Sequence, residues 1–240
     1  MTEDISKRML VILAHPDDES YGMGGTLAKY SHLGVKVILL CATRGEAGIP
    51  GTLPEDAGRI RELELREAAR HLEIEVHFLG YMDGKLSEVD PNVLFEDITC
   101  WIGLVRPQII LTFGPDGVSG HPDHVTISNV VTKVVEKFYP KVCLLYIAAS
   151  EATALGCGVT SSTDDSEKNL VSVDISDYKI EKIRAIQSHI SQHPPLNGNP
   201  EEELDKVPCH EYFRVAQSIH NSNNLTVCLQ DFEDGALPQT

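Results

Sequence analysis

No stretch of the 240 residues approaches the roughly 20 consecutive apolar residues that a membrane-spanning helix needs. The N-terminus lacks the charged, apolar and small-residue order of a secretory leader. Six cysteines stand at 41, 100, 143, 157, 209 and 228. None forms a C-x-x-C pair, so neither a zinc ribbon nor a redox pair is indicated. Cys41 and Cys143 fall in apolar, strand-like runs, where thiols act as small hydrophobes. Basic residues are scarce: 20 Lys and Arg against 36 Asp and Glu leave a formal net charge of -16. That field repels a nucleic-acid backbone and an anionic membrane surface. No repeat and no low-complexity tract is present. These absences predict a soluble, cytoplasmic chain with reduced thiols. They also predict no nucleic-acid and no membrane partner, and a small neutral or amine-bearing substrate.

What the chain does contain is enough apolar residue, 42%, to bury one core without disulfides. Strand and helix patterns alternate over the first three-fifths. Arg8–Ala14, Val35–Ala42, Val76–Leu79, Gln108–Phe113 and Val142–Ala149 read as strands. Gly25–Leu33, Arg59–Leu72, Pro91–Val105 and the segment after Pro122 read as helices. Ile127, Val131, Val134 and Phe138 are spaced as the inner face of that last helix. Pro122 fits its first position. Further on, Val171–Ile175 reads as a strand, Asp177–His189 as a helix, and Tyr212–Ala216 as a last strand. Glu151–Asn169 reads as a loop and 193–208 as irregular. The alternation predicts an α/β fold with a mostly parallel sheet flanked by helices. The expected organisation is one domain over 1–240, with a core of about 8–192 and an irregular C-terminal part over 193–240.

Right-handed crossovers put all parallel strand ends on one rim, and ligands of open α/β sheets bind there. Two clusters follow strand ends: Ala14-His15-Pro16-Asp17-Asp18-Glu19 and Gly120-His121-Pro122-Asp123-His124. His15 with one of the two aspartates, Asp17 or Asp18, can reach an ion from one side, and His124 can close the site from another loop. Three protein ligands and an open position suit a catalytic zinc, whose water reaches a pKa near 7. The remaining aspartate is then placed as a base. His121 is placed to stabilise an oxyanion or protonate a leaving amine, and Asp123 to orient an imidazole. The plainer reading of Asp17, Asp18 and Glu19 is a favourable charge at a helix N-terminus without any metal. Convergence of both clusters on one rim favours the site.

The paired His motifs resemble the LmbE/PIG-L-like zinc de-N-acetylase family. Supporting pieces are Thr43-Arg44-Gly45-Glu46-Ala47-Gly48, Arg61-Glu62-Leu63-Glu64, and Lys182 through His189-Ile190-Ser191-Gln192. The resemblance spans about 8–192. It implies a Rossmann-like domain, with His15, Asp18 and His124 as metal ligands, Asp17 as base and His121 polarising the oxyanion. It also implies that Arg44 faces the substrate. The metal implied is Zn²⁺, with Fe²⁺ equally suited to N/O ligands. The partner implied is a small N-acetylated sugar, and the assembly a homo-oligomer, trimer or hexamer. Family members deacetylate glucosaminyl compounds, among them mycothiol and bacillithiol precursors, chito-oligosaccharides, antibiotics and phosphatidylinositol glycans.

The function expected is hydrolysis of an N-acetylglucosaminyl-type amide to free amine and acetate. The alternatives are an amidase or esterase on a non-sugar substrate, and a non-catalytic acyl-sugar-binding module. Asp17 argues against the module, because a binder needs no base beside the metal. The loop Gly114–Ser119 lacks the tyrosine that some relatives carry near it; Tyr81, Tyr146 and Tyr212 are the substitutes to consider. His189 and His193 read as solvated or core-satisfied, and His32, His71 and His77 carry no role. The charged run Arg59–Arg70 reads as a solvated helix face with i,i+4 pairs.

Overall fold

The computed structural model describes residues 7–148, 170–192 and 200–216. Its first half alternates β1 (Arg8–Leu13), α1 (Asp18–His32), β2 (Lys36–Thr43), α2 (Pro54–Leu72), β3 (Glu75–Tyr81) and α3 (Pro91–Val105). There follow β4 (Ile109–Thr112), the single turn α4 (Gly117–Gly120), α5 (Pro122–Phe138), β5 (Cys143–Ala148), β6 (Leu170–Asp174), α6 (Lys179–Ser188) and β7 (His210–Val215). The strands form one sheet in the order β3-β2-β1-β4-β5-β7-β6. The first five are parallel, and β7 runs antiparallel to both β5 and β6. The expected mostly parallel sheet is therefore present, with β7, a strand from beyond residue 192, inside it.

β1 is the middle of the parallel part. Met9 to Leu13 are fully buried, and β1 pairs with β2 on one side and β4 on the other. The chain winds outward from β1 through β2 to β3, then returns to β4. Loops leaving β1 and β4 thus diverge to opposite faces and open a crevice between them. Both histidine clusters lie on those two loops.

Capping residues explain the helix starts. Pro54, Pro91 and Pro122 each occupy a first turn, where no N–H is needed. The Asp90 carboxylate accepts from Asn92 N–H. α2 buries Leu65, Ala68, Ala69 and Leu72 and carries Arg70 and His71 in its last turn.

Some expectations are corrected. α1 begins at Asp18 and not at Gly25, because Gly22, Gly24 and Gly25 erase the apolar period over its first turns. The helix kinks at Met23 (φ -154°, ψ 16°). The amides beyond the kink are satisfied by Glu211 of β7, which accepts from Gly25 N (3.1 Å) and Thr26 N (2.7 Å). Phe138, placed on the inner face of α5, is 49% exposed because the helix ends there. Cys143 is disulfide-bonded, which corrects the reading of it as a reduced, buried thiol. The described helices include none long and apolar enough to cross a membrane. The 151–169 loop, His193 and the segment after Asn221 lie outside the described residues.

Gly25 is the point where α1 touches the strand-to-helix turn at Ile175. A Cβ there would sit 2.6 to 2.9 Å from three Ile175 side-chain carbons, including its Cβ. Gly25→Val should therefore cost about 1–3 kcal/mol, the usual range for overpacking. Urea denaturation checks this; an unchanged midpoint would contradict the close packing.

Candidate metal and hydrolytic site

His15 stands two residues beyond β1, and its backbone N–H donates to Asp18 Oδ2 (2.8 Å). This fixes the turn that carries Pro16 and Asp17. Its Nε2 lies 3.0 Å from Asp83 Oδ1 and 3.2 Å from Asp123 Oδ2. Two carboxylates hold a proton on that nitrogen, so Nδ1 is directed the other way. Nδ1 lies 3.1 Å from His124 Nε2. His124 Nδ1 in turn donates to the Gly117 carbonyl (3.0 Å), and its ring stacks on Phe113 at 4.0 Å. That tautomer leaves His124 Nε2 with a free lone pair. Asp18 completes the group, with Oδ1 3.4 Å from His124 Nε2 and Oδ2 3.7 Å from His15 Nδ1.

Three donor groups, the two imidazole nitrogens and the two oxygens of one carboxylate, lie 3.1 to 3.7 Å apart and fit one small cation. A tetrahedral zinc with bonds of about 2.1 Å has ligand–ligand edges of about 3.4 Å. The donor set is two imidazoles and a carboxylate, the N/O chemistry that Zn²⁺ and Fe²⁺ accept. His121 also brings a ring nitrogen within 4.8 Å of those of His15 and His124. The Asp123 N–H donates to His121 Nδ1 (3.2 Å), so its other nitrogen carries the proton and is a donor, not a ligand.

Asp17 adopts φ 107°, a left-handed conformation rare outside glycine. Local bonds impose it. Asp17 N–H donates to Glu19 Oε2 (3.0 Å), and its carbonyl accepts from Ser20 N and Tyr21 N. The side chain reaches Arg61 Nη2 at 3.3 Å. Burial and the neighbouring Asp18 charge push Asp17 up to about 7, against the lowering effect of Arg61.

Arg61 corrects the reading of its helix run as a solvated face. It is 4% exposed, donates to the carbonyls of Pro16 and Gly45, and lies 3.8 Å from Asp83 Oδ2. A Cβ at Gly45 or Gly48 would fall 2.3 Å from its Nη1, so these glycines make room for it. His189 is a core histidine and not a solvated one: its Nε2 meets Glu19 Oε1 at 2.8 Å, both residues fully buried, while its Nδ1 has no partner among the described residues. Asp83, Arg61 and Glu19 were not singled out from sequence. The only signal was position, on the rim or in a motif carried by the resemblance.

The remaining residues are placed as follows. Asp123 is fully buried and also accepts from Gly84 N and Leu86 N, fixing the loop that carries Asp83. Arg44 sits on the rim, its side chain 39% exposed and loosely held by Glu46 and Glu62. Of the three tyrosines, Tyr81 is committed to Asp97 and Tyr146 to Thr132, while Tyr212 lines the cavity beside Asp18 and His124.

Comparison with known proteins places the chain. The PIG-L family, described as GlcNAc-PI de-N-acetylase, matches residues 10–135, which include both histidine clusters. The chain belongs to that family. A 1D-myo-inositol 2-acetamido-2-deoxy-alpha-D-glucopyranoside deacetylase from Saccharomonospora viridis is 32% identical, over 87% of this chain and 95% of its own length. The protein of the same name from Mycobacteroides abscessus is 29% identical, over 78% of this chain and 82% of its own. The solved N,N'-diacetylchitobiose deacetylase from Pyrococcus horikoshii superposes with TM-score 0.66 at 27% identity, covering 91% of this chain and 88% of that one. The deacetylase described here is thus a hydrolase that removes an acetyl group from an N-acetylglucosaminyl-type small molecule.

The surroundings of His15 favour its protonated form. Burial lowers His15, but hydrogen bonds from Asp123 and Asp83 and the charge of Asp18 outweigh it and push it up to about 10. A metal must displace that proton. Because the group is protonated below its raised pKa, apparent zinc affinity should rise with pH, by up to about tenfold per unit toward pH 10. Chelator competition at pH 6, 7 and 8 measures this, and a flat affinity would contradict the protonated His15.

Proposed function

We propose that His15 Nδ1, Asp18 and His124 Nε2 hold one divalent cation, and that Asp17 is the general base of amide hydrolysis. The observation that carries this is the three-donor geometry with both imidazole tautomers set, next to a carboxylate pushed toward neutral pH. When bound, the cation supplies Lewis-acid polarisation of the amide carbonyl and acidifies water. Asp17 Oδ takes the proton of the attacking water. Arg61 and Glu19 hold that carboxylate and its backbone in place. His121, with Nδ1 occupied by the Asp123 N–H, donates from Nε2 to the carbonyl oxygen as charge develops. This favours the oxyanion role for His121 over protonation of the amine. The proton on Asp17 then passes to the departing nitrogen, giving acetate and free amine.

The substrate we infer is an N-acetylglucosaminyl-inositol, as the names of the 29–32% identical relatives indicate. Arg44 is the rim donor for its hydroxyls. Residues 1–240 are read as one domain, since α6 and β7 complete the same sheet and bring His189, Lys182 and Glu211 under α1.

Two substitutions separate the aspartates. Asp17→Asn should retain the cation and lose about 10²–10⁴-fold in turnover, the worth of a positioned base. Asp18→Ala should lose the cation itself. Elemental analysis beside single-turnover kinetics reads both; cation loss in Asp17→Asn with retention in Asp18→Ala would invert the assignment.

Substrate choice follows from binding through hydroxyl donors, which positions the acetyl carbonyl. kcat/KM should be higher for N-acetylglucosaminyl-inositol than for N-acetylated alkylamines, and Arg44→Ala should narrow the ratio. Equal rates on both classes would support the general amidase instead.

A further inference from the structure

Asp18 and His124 each have a second neighbourhood. On it lies a cavity of about 210 Å³ between α1, the end of β5 and β7. Asp17, Arg44, Arg61, Asp83 and His121 take no part in its wall. The polar groups of the site therefore gather on one side of the two ligands, and this cavity on the other. Its surface is predominantly apolar, with Phe113, Val118, Ile147, Ala148, Ile175 and Tyr212 in the wall.

Two of the charged groups in that wall, Lys182 and Glu211, are already used. Lys182 Nζ lies 2.5 Å from Glu211 Oε1 and donates to the Tyr21 carbonyl at 2.9 Å. Glu211 accepts the two amides beyond the kink of α1. Neither has a reason to prefer a hydroxyl-rich ligand, and the remaining polar side chains of the wall, Tyr21, Ser119, His210 and Tyr212, make up a minor part of its surface, so a sugar placed here would leave most of its hydroxyls without partners. Hydrocarbon is the chemistry that fits.

An amide bound at Asp18 and His124 has two ends, an amine-bearing sugar and an acyl chain. The sugar needs fixed donors and goes to the polar side. We propose that the cavity is an acyl-chain subsite, which accepts N-acyl groups longer than acetyl, from propionyl to hexanoyl. This rests on the hydrolase reading of the adjoining site. The size agrees: an apolar cavity of about 150 Å³ holds a benzene ring, so this one has room well beyond a single methyl. Ile147 sets its depth opposite Gly22, where a Cβ would stand 3.3 Å from Ile147 Cδ1.

The test uses zinc-loaded enzyme and one glucosaminyl glycoside carrying acetyl, propionyl, butyryl or hexanoyl. kcat/KM should hold or rise from acetyl to butyryl, by at most about fourfold per buried methylene. Ile147→Trp should lower the butyryl-to-acetyl ratio at least about tenfold, since it fills the cavity. A second measurement does not depend on that variant: calorimetry on the wild-type protein should show butyrate binding more tightly than acetate. A tenfold fall from acetyl to butyryl in the wild type, or equal binding of acetate and butyrate, would overturn the subsite. No hydrolysis of any member, with butyrate still the tighter ligand, would leave the subsite assigned and remove the deacetylase reading.

Discussion

The site depends on one buried imidazole held among carboxylates. His15 is 8% exposed, and Asp18, Asp83 and Asp123 all lie within 3.7 Å of its ring nitrogens. Each carboxylate comes from a different part of the fold: the turn after β1, the loop after β3 and the first turn of α5. One ring therefore ties three loops to a common point. Burying that much negative charge is unfavourable unless positive charge or bound protons compensate it. The proton on Nε2 supplies part of that compensation, and a cation at the proposed site beside Nδ1 would supply more. The same carboxylates fix which nitrogen is free.

A second layer of buried charge supports the first. Arg61 reaches down from α2 to Asp17, Pro16 O and Gly45 O, and its Nε is buried without a partner among the described residues. Glu19 and His189 form a buried pair joining the start of α1 to the end of α6. Lys182 and Glu211 form another, joining α6 and β7 to the kinked α1. Removing one member of such a pair leaves an uncompensated charge, a larger penalty than the pair's net worth. The Asp17 backbone, at φ 107°, is held by these contacts and not by its own preference.

The sheet explains why the two clusters meet. β1 lies between β2 and β4, and its loop and that of β4 leave toward opposite faces. His15 and His124 are 109 residues apart in the chain, yet their ring nitrogens are 3.1 Å apart. β7 then adds an antiparallel strand next to β5, and with it the wall of an apolar cavity that Asp18 and His124 also line. Polar rim and apolar wall are thus built from different ends of the chain. The relatedness to deacetylases and the sheet order tell one story: the first 135 residues carry the motifs, and the later elements shape the space around them.

Strands and most helices could be read along the chain because burial on both sheet faces demands continuous apolar runs. Met9–Leu13 and Val37–Ala42 are such runs. The proline positions at 91 and 122 likewise follow from the missing N–H, a local property, whereas the start of α2 at Pro54 lies five residues before the Arg59 read from the pattern. His15, the pair Asp17 and Asp18, and His124 stood out because imidazole and carboxylate at strand ends are dense, short motifs. Arg61 did not, because a charged residue on a helix has no local mark of burial; only the glycines at 45 and 48, folded against it, make room. The kink of α1 was hidden because Glu211, almost 190 residues later, supplies its hydrogen bonds. Sequence alone thus determined the strand order along the chain, the helix starts at Pro91 and Pro122, and the chemical types at the site. Tertiary structure decided which carboxylate faces which imidazole, which arginine is buried and where the apolar wall lies, since those depend on distances between residues that no local pattern encodes.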